Sequence, residues 1–314
     1  MTSAFVFPGQ GSQSIGMLAS FAADNRLVTD TFAEASAVLG YDLWQLVSQG
    51  PLEDLNATEH TQPAMLAAGV ATWRLWQQAG GATPAVVCGH SLGEFSALVA
   101  AEAIRFADAI ALVRHRGELM QQAVPVGVGA IAAVLGLDDD LIRAACSEAA
   151  GTEVVEPVNF NAPGQVVIAG NAAAVTRAID ACKARGAKRA VLLPMSVPAH
   201  SSLMQPAAER FGERLTAVAL HSPKIPFWSP VDAIVHADPA ALRALLKRQL
   251  ASPVHWSDLI RSLAAAGITQ FVECGPGKIL TSLNRRIERR PDIHCAALED
   301  PASLAAVLAG PGVS

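Results

Sequence analysis

The sequence predicts an α/β protein built on a parallel sheet, with a smaller βαββαβ unit set into it. Three observations carry this. Short apolar runs alternate with long helical patterns over most of the 314 residues. Three of those runs lead into a glycine-rich turn and then a helix, the signature of a parallel sheet whose strand ends hold ligands. Between about 127 and 193 the order changes to strand, helix, strand, strand, helix, strand.

Taken in order, residues 4–7 read as a buried strand followed by the turn Pro8-Gly9-Gln10-Gly11. A second buried strand, 85–88, enters Gly89-His90-Ser91-Leu92-Gly93 and then a helix from about Glu94. A further helix is expected over 106–123. The middle of the chain then reads as strand 130–137, helix 138–149, strand 154–160, strand 165–169, helix 172–185 and strand 189–193, with Asn161-Ala162-Pro163-Gly164 closing a hairpin. That is the ferredoxin-like pattern. Pro125 on one side and Pro194 and Pro198 on the other mark its limits. The expected organisation is therefore a large domain over 1–125 and 196–314, interrupted by a small one over 126–195. A last unit runs from strand 271–273 through Cys274-Gly275-Pro276-Gly277 to a helix from about Lys278.

Composition excludes several classes. With 51% hydrophobic and 16% charged residues the chain has ample apolar surface to bury, so it is not disordered. A net charge of −5 argues against a general nucleic-acid binder. No segment approaches the roughly 20 apolar residues of a membrane span. No basic stretch precedes a long apolar one at the N-terminus, so no signal peptide is expected. The five cysteines are widely spaced, with no pair at zinc or redox spacing. A cytoplasmic, metal-free protein without cofactor is the expectation.

Gly89-x-Ser91-x-Gly93 is the most informative stretch. A serine at a sharp strand-to-helix turn stands clear of the backbone, and small residues two positions either side relieve the crowding there. The following helix directs backbone N–H groups and a positive dipole end at the site, which suits an anionic intermediate. A serine needs a base, and histidine serves near neutral pH. Of eight histidines His200 is the best placed, after strand 189–193 and a proline-marked loop. His90 adjoins the serine, but neighbouring strand-end residues point apart; His221, His236 and His255 read as structural or solvated.

On helix 106–123, Ile110, Val113, Gly117 and Met120 share one face at about 100° per residue, and Arg116 falls inside that apolar arc. A buried guanidinium needs an anionic partner, because it does not deprotonate. The partner is either one of the chain's 28 acidic residues or a substrate carboxylate held by parallel hydrogen bonds. A competing pattern, Gly127-x-Gly129-x-x-Ala132, matches a dinucleotide fingerprint. However, it lacks a preceding strand and reads into a strand instead of a helix.

Together these stretches resemble the malonyl-CoA:acyl carrier protein transacylases, acyltransferases that load malonate for fatty acid synthesis. The resemblance runs through FVFPGQGSQ (5–13), GHSLGE (89–94), RGELMQ (116–121), NFNAPGQVVIAG (159–170), SVPAHSSLM (196–204), RQLASPVHW (248–256) and ECGPG (273–277). It implies a hydrolase-like parallel-sheet domain with a ferredoxin-like insertion. It also implies Ser91 as nucleophile, His200 as base, and Gln249 orienting the imidazole through its main-chain carbonyl. The backbone N–H groups of Gln10 and Leu92 would form the oxyanion hole, and Arg116 would bind the malonyl carboxylate. Ala199 stands where serine often precedes the histidine in bacterial members, a position that influences acyl choice. The implied partners are malonyl-CoA and acyl carrier protein, with no nucleic acid and no membrane, and the chain is expected to be a monomer. Carrier proteins of this pathway are acidic. The basic clusters Lys188-Arg189 and Arg285, Arg286, Arg289 and Arg290 flank expected strand ends and are candidate docking residues. A malonyl transferase of a malonate decarboxylase or a polyketide system has similar motifs.

Overall fold

A computed structural model describes residues 1–125, 127–195 and 197–310. The two domain boundaries expected from the sequence fall at Val126 and Ser196, which lie outside the described residues.

The strands are β1 (Ser3–Phe7), β2 (Val86–Gly89), β3 (Gly129–Leu135), β4 (Val155–Ala162), β5 (Gln165–Asn171), β6 (Arg189–Leu192), β7 (Phe227–Ser229), β8 (Ile234–His236), β9 (Gln270–Glu273) and β10 (His294–Ala297). Six of them form one sheet in the order β10-β9-β1-β2-β7-β8, parallel throughout except for the edge pair β7–β8. Ala4 to Phe7 of β1 are fully buried. A parallel strand covered by helices on both faces has no solvent side, which is why it reads as an unbroken apolar run. Because β1, β2 and β9 are parallel neighbours, Phe7, Gly89 and Glu273 end at one edge, and the three glycine-rich turns converge there.

The turns after β2 and β9 open into helices Gly93–Ala100 and Ile279–Ile287, as expected. The turn after β1 does not: the next helix begins only at Ala19. Pro8 lacks an N–H, and Gly11 and Gly16 adopt φ values of +104° and +80°, so the chain here cannot wind at once into a helix.

Strands β3 to β6 form a separate antiparallel sheet ordered β4-β5-β3-β6, with helices Asp139–Ala150 and Ala172–Ala184 on one face. Order and connectivity are those of a ferredoxin-like unit. β4 extends to Ala162, beyond the expected end at 160, so the hairpin turn shrinks to Pro163-Gly164 and Asn161 becomes a strand residue. The stretch from Gly129, where a dinucleotide fingerprint would need a helix, is strand β3. This small sheet is fastened along β4. Phe160 N–H donates to the Val254 carbonyl (2.9 Å) and Val254 N–H to the Val158 carbonyl (2.8 Å), while Glu156 accepts from the Ser202 N–H (2.7 Å) and hydroxyl (2.8 Å). The open face of the small sheet thereby overhangs the strand ends of the large one. No helix among the described residues is long and apolar enough to cross a membrane.

Candidate active site

Ser91 sits at the turn between β2 and helix Gly93–Ala100 with φ of +53°, a conformation uncommon for a side-chain-bearing residue. Such strain persists only where the surroundings over-determine it. Here they do: a Cβ on Gly89 would lie 1.9 Å from the carbonyl carbon of Gly93, and one on Gly93 would lie 2.0 Å from the Phe7 oxygen. The backbone is folded so tightly that only glycine fits on either side, and the serine hydroxyl is pushed outward.

His200 arrives from the opposite wall, also at positive φ (+67°), on the loop before a short turn Ser202–Met204 and helix Gln205–Thr216. Its Nε2 is 2.7 Å from Ser91 Oγ, and its Nδ1 is 2.9 Å from the main-chain oxygen of Gln249. A carbonyl oxygen only accepts, so Nδ1 carries the proton and Nε2 presents its lone pair to the serine hydroxyl. Burial, and secondarily the nearby Arg116 charge, push the imidazole pKa down to about 3, against the pull of the Gln249 carbonyl. The ring is therefore neutral and able to take a proton. His90, next to the serine, is turned away toward Asn161 Oδ1 at 2.8 Å.

The N–H groups of Gln10 and Leu92 have no acceptor among the described residues. Both residues line the same cleft as Ser91 and His200. Leu92 stands at the N-terminus of helix Gly93–Ala100, where partial positive charge accumulates.

Arg116 lies on helix Phe106–Ala123 and is 1% exposed. It has no carboxylate within ion-pair distance among the described residues; of the two readings the sequence left open, the internal ion pair is not the one found. Its NH1 instead donates to Gln62 Oε1 (3.0 Å), and its NH2 donates to Gln249 Oε1 (2.9 Å) and approaches Ser91 Oγ at 3.4 Å. Burial draws its pKa down to about 10, so it remains charged, and the charge of Glu94 opposes that shift.

Three participants were not singled out from sequence. Gln62 comes from helix Thr58–Gln78, which is buried from Thr61 to Trp73. The side chain of Gln249 matters as well as its carbonyl: its amide donates to the Ser91 oxygen (2.8 Å) and to Glu94 Oε1 (2.9 Å). Glu94 stood inside the GHSLGE motif without a role, and it is fully buried. An acidic residue two places after a nucleophile-turn glycine-flanked serine's neighbour, in an otherwise apolar helix start, is the only signal that marked it.

The cleft between the two sheets measures about 460 Å³. Ser91, His200 and Arg116 lie on its floor, and Ile131 and Val158 of the small sheet, with Leu193 just past β6, form its roof. Ala199 also faces it. The basic residues separate. Arg286 reaches from helix Ile279–Ile287 to Gln165 Oε1 (2.5 Å), on the helix side that Ile279 and Leu283 present to the cleft. The Lys188 stem covers Gly136 at the same hairpin, whose N–H bonds the Gly164 carbonyl, and the exposed Arg189 opens β6 beside it. Arg285 points away, to the Cys295 carbonyl at 2.8 Å. Arg290 is held by the Ala264 carbonyl.

Residues 4–298 match the family model described as "Acyl transferase domain". The chain is 55% identical over 305 residues to a malonyl CoA-acyl carrier protein transacylase of Salmonella typhimurium, covering 97% of this chain and 98% of the relative. Among solved structures, an acyl carrier protein S-malonyltransferase from Vibrio cholerae superimposes with a TM-score of 0.95 at 54% identity, covering 98% of this chain and 100% of that one. A malonyl-transacylase solved in complex with its type II polyketide-synthase acyl-carrier protein gives 0.97 at 51% identity, covering 98% and 99%.

Proposed function

The chain belongs to the acyl transferase domain family, and on that premise we propose the following reading. It is a malonyl-CoA:acyl carrier protein transacylase that supplies fatty acid synthesis. Ser91 attacks the malonyl thioester while His200 Nε2 takes its proton. The N–H groups of Gln10 and Leu92 hold the oxyanion, CoA leaves, and the carrier's phosphopantetheine thiol repeats the attack on the malonyl-serine ester. No acidic third member is needed to hold the imidazole, because the Gln249 carbonyl does so. The inserted unit we assign to 126–195 roofs the cleft and excludes water, which favours transfer over hydrolysis. A cytoplasmic location belongs to the same proposal, supported by five unpaired cysteines.

One observation carries the substrate assignment: a buried guanidinium 3.4 Å from the nucleophile with no carboxylate in contact among the described residues. An acyl chain ending in an acid supplies that carboxylate; an acetyl group leaves the guanidinium with only its amide partners, Gln62 and Gln249. The direct test is transfer from malonyl-, methylmalonyl- and acetyl-CoA to purified holo carrier protein. Malonyl is expected to win by at least about tenfold, the discrimination of a charge-assisted contact. Comparable rates with acetyl-CoA would defeat the assignment.

The relative solved with a polyketide carrier favours a second reading, in which the carrier serves polyketide synthesis; running the assay with both carrier types separates them. For docking we assign Lys188, Arg189 and Arg286 beside the cleft, with Arg285 on the outer side. In that assay Arg286→Glu should raise the KM for an acidic carrier severalfold, the more so at low salt. An unaltered carrier KM would remove Arg286 from the docking surface.

The pH dependence follows from His200. A general base works when unprotonated, so its limb lies at its own low pKa. The maximal rate of Ser91 malonylation should stay level from about pH 8 down to about pH 5. An acid limb near 6.5, the value of an ordinary histidine, would contradict the buried, neutral imidazole.

A further inference from the structure

Glu94 is wholly buried at the start of helix Gly93–Ala100, and neither step of the transfer uses it. Its partner is the side chain of Gln249, whose Nε2 donates to Glu94 Oε1 on one side and whose Oε1 accepts from Arg116 on the other. A single neutral side chain thus separates a buried anion from a buried cation. A carboxylate only accepts, so it fixes the amide with its NH₂ inward and its oxygen toward the guanidinium.

We propose that Glu94 is the resident counter-charge of Arg116: it balances and orients the guanidinium in the empty site, and takes up a proton when the substrate's carboxylate replaces it. The inference rests on malonyl being the acyl group. With Arg116 alone in the core, an uncompensated cation would be costly to bury; with Glu94 ionised, the pair is neutral. A malonyl carboxylate satisfies Arg116 directly and leaves Glu94 as a surplus negative charge in an apolar setting. Two anions crowding one cation cannot both stay ionised cheaply, so the weaker acid is protonated. Glu94 is that acid, since burial already pushes its pKa up to about 7, opposed by the Gln249 hydrogen bond, by the nearby Ser229 hydroxyl and by the Arg116 charge.

The groups facing its carboxyl are few. They are Arg116 from helix Phe106–Ala123, Gln249 from helix Pro239–Gln249, Ser229 at the end of β7 with Asp232 beyond it, and Cys88 from β2. Burial and the Glu94 charge keep the Cys88 thiol protonated. β1 has no ionisable side chain, and Glu59, His60 and Arg74 of helix Thr58–Gln78 are not among the charges that shift Glu94. His200 is neutral in the empty site. The balance is then simple. Ser91 hydroxyl plus malonyl thioester gives malonyl-serine ester plus CoA thiol, with no net proton below the ordinary thiol pKa of about 8.5. The proton gained by Glu94 comes from solvent.

The test mixes enzyme with malonyl-CoA, and separately with acetyl-CoA, in weakly buffered indicator solution near neutral pH, with intact mass measured alongside. Wild-type enzyme should take up a sizeable fraction of one proton per malonyl ester at about pH 7.5, and almost none at about pH 5.5, where Glu94 already carries it. Acetyl loading should take up none at either pH. Glu94→Gln should abolish the uptake; it should also melt several degrees lower when empty and regain stability on malonyl loading. Ester formed without uptake in the wild type, or uptake persisting in Glu94→Gln, overturns the proposal. Absence of any malonyl ester overturns the functional reading and this inference with it. Should Glu94→Gln not fold, the contrast between the two thioesters in the wild type decides alone.

Discussion

Ser91→Ala should lower malonyl transfer by about four orders of magnitude or more, with the fold intact. The alanine keeps the elbow backbone, where the steric demands fall on Gly89 and Gly93 and not on the serine side chain. What disappears is the oxygen 2.7 Å from His200 Nε2, and with it the covalent intermediate. The carrier thiol would then have to attack malonyl-CoA directly, without a base aligned for it, while the oxyanion donors give only residual help. The measurement is the rate of malonyl transfer to holo carrier protein, with melting temperature as the control for folding. Retention of a tenth of the activity in a folded variant would mean that another group accepts the acyl chain.

Arg116→Ala should produce the second largest effect, and a selective one. Malonyl kcat/KM is expected to fall by about two to three orders of magnitude, the loss of a buried, doubly hydrogen-bonded charge contact. Acetyl kcat/KM should fall far less or rise, because an acetyl group never engaged the guanidinium and the vacated space is less polar. The preference for malonyl should therefore collapse. Steady-state kinetics with both thioesters measure it. Equal losses would mean that Arg116 supports the site through Gln62 and Gln249 and does not read the substrate.

Much of this was legible in the sequence because the signals were local. Central parallel strands are buried on both faces, so β1, β2 and β9 stand out as short apolar runs closed by glycine turns. Helix Phe106–Ala123 appears with the expected limits, and its periodicity alone put Arg116 on the buried face. The short outer strands were not legible. β7 and β8 have three residues each, too few for an alternation to register, and β10 begins with an exposed histidine. They are strands because a neighbouring edge pairs with them, which is tertiary information.

The site divides in the same way. Ser91 announces itself because its conformational problem is solved by residues two places away. His200 lies 109 positions further on, so its partnership is a property of the folded chain, and the sequence could only rank it among eight histidines. Gln62 and the side chain of Gln249 carry no local mark at all, since an amide in a helix looks the same whether it meets water or a guanidinium. Glu94 was hidden for the opposite reason: inside a recognisable motif, it was overshadowed by the serine.

Both half-reactions pass through a malonyl ester on one hydroxyl. Intact mass followed by peptide mapping after brief exposure to malonyl-CoA tests it most directly. A single malonyl group per chain is expected, located on the peptide that contains Ser91 and discharged by holo carrier protein. A malonyl group on any other residue, or one that still forms in Ser91→Ala, would contradict it.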